Sequence, residues 1–160
     1  MIKVIGSLII ICVSLFIGYS LSDMIKNRIA NISALSDFIE YISEQVSMYK
    51  LTLEDIYISV SNERLKSSGF LSNLKSNRGN IYEAAMGSGI LLGDEEREII
   101  KSFSDRIGSG TAEDVTAQCL FTSRKLKNIK DKLSSELPDK KRIYNTVSFL
   151  VGASAIILLM

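Results

Sequence analysis

The chain has 160 residues, with 19 lysines and arginines against 18 aspartates and glutamates, and it contains neither histidine nor tryptophan. A balance this close to neutral excludes a general nucleic-acid binder, which carries a basic excess, and the missing histidine removes the commonest general base and metal ligand. The two cysteines, Cys12 and Cys119, are too few for a metal cluster and fit a reduced compartment.

From Val4 to Ser22 the chain runs nineteen residues without a charge. A helix crosses a bilayer with roughly 20 mostly apolar residues, so residues 1–22 are expected to form a transmembrane helix. The alternative is a secretory signal peptide with Gly18-Tyr19-Ser20 as its cleavage pattern, but a signal's apolar core is only about 7–15 residues long.

Beyond this stretch the apolar positions fall at Ile25, Ile29, Ile32, Leu35, Ile39, Ile42, Val46, Tyr49 and Leu53. Steps of three and four mark one helical stripe. No proline or glycine interrupts Tyr19 to Ser68, so the first helix is expected to continue as one long rod. Its stripe must be covered, either by the other helices of this chain or by a coiled-coil-like seam in a dimer.

Thr52-Leu53-Glu54-Asp55 has the form of a capping box. It opens a second helix carrying Ile56, Val60 and Leu65, which ends at Ser67-Ser68-Gly69. A short turn over Phe70 to Lys75 follows, then a loop at Ser76 to Asn80. A further short helix covers Ile81 to Met86, closed by Gly87-Ser88-Gly89.

Asp94-Glu95-Glu96 supplies carboxylates to a first helical turn, where they favour the helix dipole. The face that follows carries Ile99, Phe103 and Ile107, with Ile100 beside it, and Gly108 or Gly110 ends the helix. Thr111-Ala112-Glu113-Asp114 opens the last helix, whose stripe includes Val115, Cys119, Leu126, Ile129 and Leu133, widened by Leu120 and Phe121. Pro138 either starts a new helix or kinks a continuous one.

Residues 143–160 are again free of charge and are expected to form a second transmembrane helix; the alternative is a buried core helix. Lys26, Arg28, Lys140, Lys141 and Arg142 flank the middle segment, 23–142, against Lys3 on the other side, which places that segment in the cytoplasm. The expected fold is all-α: an antiparallel helical bundle whose first and last helices extend into transmembrane spans. Arg124 to Arg142 holds eight basic residues and three acidic, a surplus that reads as a topology signal or as affinity for anionic lipid.

Neither Gly87-Ser88-Gly89 nor Gly108-Ser109-Gly110-Thr111 has the lysine and preceding strand of a phosphate-binding loop. Asp94 to Glu98 could hold a divalent ion, but consecutive helical carboxylates point in different directions, and a solvated helix start explains them better. No nucleophile–base pair or convergent pair of acids is present. The chain is therefore expected to be non-enzymatic, with no cofactor, no metal and no nucleic-acid partner.

The layout, together with Leu92-Gly93-Asp94-Glu95-Glu96-Arg97-Glu98-Ile99-Ile100-Lys101-Ser102-Phe103, then Ile107-Gly108, Gln118, Tyr144, Gly152 and the closing Ile156-Ile157-Leu158-Leu159, resembles the stage III sporulation protein AB family. The chain departs from that pattern at Leu51-Thr52-Leu53 and at Ile107. The resemblance implies kinship with the inner-membrane platform protein of type II secretion and type IV pilus machines. It also implies a place in the mother-cell membrane facing the forespore, in a channel or secretion complex. The partners it implies are a separate secretion-type ATPase, the other channel membrane subunits, the lipid bilayer and further copies of the chain. On that reading Asp94, Glu95, Glu96 and Glu98 form one candidate docking surface, and Arg124, Lys125 and Lys127 another. A membrane-anchored regulatory module is the alternative function.

Overall fold

The computed structural model describes the backbone of residues 2–159 and the side chains of residues 13, 16, 19–144, 146–151, 153 and 154. The elements are α1 (Ile2–Glu44), a π-helical turn (Gln45–Tyr49), α2 (Leu53–Ser59), α3 (Glu63–Ser67), α4 (Phe70–Ser76), α5 (Ile81–Met86), α6 (Asp94–Ser104) and α7 (Ala112–Leu159). Every described element is helical, as the spacing of apolar residues implies.

Among the described residues no helix is long and apolar enough to cross a membrane, which overturns the two spans expected over 1–22 and 143–160. The charge-free stretches are ends of longer helices whose remaining turns are amphipathic. α1 acquires Asp23, Lys26 and Arg28, and the described part of the second stretch carries Thr146, Ser148 and Ser154. Much of both stretches, 1–12 and 155–160 in particular, lies outside the residues whose side chains are described.

The chain divides into two units, residues 28–131 and residues 1–27 with 132–160. The second unit comprises the start of α1 and the end of α7. It contains local ion pairs, Lys26 with Asp23 at 3.1 Å and Lys140 with Glu136 at 2.8 Å. α7 continues through Pro138, which has no N–H to bond the carbonyl of Ser134.

Unit 28–131 contains the core. Ile32, Leu35, Ile39 and Ile42 of α1 are fully buried, so the middle of the stripe read from the sequence is the core face, whereas Tyr49 in the same stripe is exposed. Opposite lie Val115, Cys119, Leu126 and Ile129 of α7. Ser36 meets Ser123, whereas Val46 and Lys50 share a groove with Ala112 and Thr116. Residue numbers thus rise along α1 as they fall along α7, and the two helices are antiparallel. The short helices α2 to α5 cap this pair with Ile56, Leu65, Phe70, Leu74 and Ile81, all fully buried. Phe38 packs edge-on to Phe70, ring centres 5.5 Å apart at 78°, and lies 6.2 Å from Tyr57.

The rod expected to run on from Tyr19 stops where α1 gives way to the π-helical turn, and Lys50 adopts a left-handed conformation at φ 51°. Thr52 then caps α2 as its sequence implies, accepting a hydrogen bond from the Asp55 N–H at 3.3 Å. The single helix expected over 52–68 is two, because Asn62 accepts from the N–H groups of Arg64 and Leu65 and starts α3 afresh. Gly79, at φ +81°, closes the α4–α5 turn against the Tyr57 ring; an added Cβ would sit 2.6 Å from Tyr57 Cε2.

Candidate functional site

α6 lies along α7 inside unit 28–131, and the phase of each helix sorts its charges. On α6, Glu96, Ile100 and Phe103 are buried. They recur at i, i+4 and i+7, one face of a helix. Asp94, Glu95 and Glu98 point elsewhere and are exposed. On α7, Ser123 and Lys127 share a face that meets α1, Lys125 lies roughly 200° away toward α6, and Arg124 is exposed.

Glu96 therefore does not belong to an exposed acidic edge. Its side chain is fully buried and takes three hydrogen bonds from the Arg28 guanidinium, at 2.7, 2.7 and 3.1 Å. Gly93 is required beside this pair by space rather than by backbone conformation: a Cβ there would collide with the Arg28 guanidinium and sit 2.7 Å from Glu96 Oε2. Arg28, read in the sequence as a membrane-flanking charge, is thus a structural partner of α6. Both residues lie in register with apolar stripes, Arg28 with Ile32 and Leu35, and Glu96 with Ile100 and Phe103. That register is the signal in the sequence that exposes their role.

Lys127 pairs with Glu40 of α1 at a partly exposed position. Glu40 also accepts from Ser123 Oγ at 2.6 Å, and Ser123 Oγ lies 2.9 Å from Ser36 Oγ. The Lys127 ammonium, followed by the Ser123 hydroxyl, holds the Glu40 carboxyl below its ordinary range, and Glu40 holds the Lys127 ammonium above its own.

A groove along α6 and α7 keeps three of the seven charged residues singled out in the sequence. Glu95 and Glu98 line it at the end nearer the start of α6, with Asn128 of α7. Ile99 and Ser102 lie in the middle. Arg106, Gln118 and Phe121 line the other end. Lys125 borders both parts and leans toward Phe121, with its ammonium 4.6 Å from the ring centre. Asp94 is fully solvated, with Arg97 3.8 Å away. Sequence reasoning missed Arg106 and took Phe121 for part of the core stripe, yet Phe121 is 62% exposed.

Phe121 offers an apolar surface beside Arg106 and Lys125, and the Gln118 carbonyl oxygen is buried with no hydrogen-bond partner among the described residues. Cys119, the one described cysteine, is fully buried, and burial pushes its thiol up to about 12. It is a core residue rather than a nucleophile. Among the described residues no three His, Cys, Asp or Glu side chains converge on a metal position.

No curated protein and no solved structure matches the chain. The family model for stage III sporulation protein AB does match, over residues 3–160. With that pattern covering nearly its whole length, the chain belongs to the stage III sporulation protein AB family.

Proposed function

We propose that the chain is a non-enzymatic assembly component of a sporulation-specific transenvelope channel or secretion complex, joining a separate secretion-type ATPase to the rest of that complex. Membership of a stage III sporulation family supports the sporulation setting. The observation that carries the assembly role is the division of charge on α6 and α7. Glu96 is buried and Lys127 is paired to Glu40 of α1, while Glu95, Glu98, Arg106 and Lys125 are left around the groove that holds exposed Phe121. A face of this kind, with apolar surface beside charges of both signs, suits specific protein contact. The proposed location is the mother-cell membrane around the forespore, reached through the other subunits of the complex; no membrane span is part of this reading.

Capture of the sister ATPase by the full chain tests the role. Reversal of Glu95 and Glu98 to lysine is expected to weaken capture at least about tenfold, because capture depends on the assembly built through this face and like-charge contacts there cost several kcal/mol. Glu96 must be left intact, because its loss would unsettle the fold and mimic a docking defect. Undiminished capture would remove the α6–α7 face from ATPase coupling.

A further inference from the structure

We infer that the occupant of the α6–α7 groove is the same groove of a second copy of this chain, a step that rests on the assembly reading above. A two-fold interface uses one patch on both partners, so it forms only where that patch is complementary to itself after a half-turn. Here the order along the groove is carboxylates at one end (Glu95 and Glu98), Ile99 and Ser102 in the middle, and cations at the other end (Arg106 and the inclined Lys125). A half-turn exchanges the ends, so each copy's carboxylates face the other copy's cations.

One further feature fits the same partner. Phe121, 62% exposed at the cationic end, is an aromatic anchor of the type that dominates interface energies.

The test uses two charge-reversed full chains and sedimentation velocity. Glu95→Lys with Glu98→Lys makes the groove wholly basic, and Arg106→Glu with Lys125→Glu makes it wholly acidic. Each variant alone is expected to dimerise at least about tenfold more weakly than the wild type. An equimolar mixture is expected to restore the dimer, because each end again meets its opposite. Should a reversed chain fold poorly, the wild-type dimer serves instead: it is expected to weaken as salt rises, and Phe121→Ser to weaken it at least about tenfold. A monomeric wild type, unimpaired variants, or a mixture that stays monomeric would each overturn self-association. If those results came with ATPase capture still lost on charge reversal, the assembly role would stand with a different occupant in the groove. If the dimer behaved as expected while capture was unaffected, only the ATPase coupling would fall.

Discussion

Arg28 and Glu96 stand 68 residues apart in sequence and are joined by three hydrogen bonds of 2.7, 2.7 and 3.1 Å, with the carboxylate fully buried. The pair fixes α6 against α1 and so fixes which faces of α6 remain outside. Removing either partner leaves a buried or half-buried charge uncompensated, which typically costs about 3–5 kcal/mol. Chemical unfolding of Glu96→Ala and Arg28→Ala chains is expected to show losses of that size. The double substitution Arg28→Met with Glu96→Leu is expected to recover most of the loss, because a packed apolar pair often replaces a buried ion pair without penalty. Equal losses in single and double variants would refute this account of the pair.

The Glu40–Lys127 contact sets an acid response. Glu40's carboxyl is lowered from its ordinary 4.5 in the folded chain by Lys127 and Ser123. A lowered acid stabilises the fold above its unfolded value, and that stabilisation is lost as pH falls through the lower folded value. Lys127→Met is expected to flatten the stability loss below about pH 4.5. Because both side chains are about one-third exposed or more, the effect should stay below about 1 kcal/mol. Thermal melts across that pH range, with the Ser123→Ala chain as the weaker comparison, measure it.

Cys119 gives a probe of opening. Its thiol is fully buried and pushed up to about 12 by desolvation. In a Cys12→Ser chain near pH 8, labelling by a thiol reagent is expected to wait on unfolding and to accelerate with urea. Labelling at the rate of an unfolded peptide in native buffer would contradict the core packing around α7.

The short helices were legible from local chemistry. Thr52, Asn80 and Thr111 begin helices by accepting from Asp55, Glu83 and Asp114 N–H groups, and such caps leave a direct mark in the sequence. The apolar stripe of α1 was legible for the same reason, since Ile32, Leu35 and Ile39 repeat at the helical period. The Val60–Asn62 break was not, because Asn62 caps from within an unbroken apolar pattern. Glu96 was grouped with its acidic neighbours by composition, whereas its register with Ile100 and Phe103 decides its burial. The two charge-free ends suggested spans by length alone, and the described helices do not meet the requirements for one.

The groove's acidic end is open to a direct substitution test of stability against function. Glu95 and Glu98 make no ion pair among the described residues and are exposed, so replacing both with glutamine should cost no more than about 1 kcal/mol, the helix-dipole contribution of Glu95 in the first turn. A larger loss in chemical unfolding would show that they support the fold rather than a partner.

The central claim is that this exposed face of α6 and α7 serves assembly during sporulation. Its most direct measurement is the count of heat-resistant spores from a strain whose only copy of the chain carries Glu95→Lys and Glu98→Lys, with chain abundance checked by immunoblot. The account predicts at least about a hundredfold fewer spores at normal abundance, as expected when repulsion costs an interface several kcal/mol. Wild-type spore counts from that strain would contradict it.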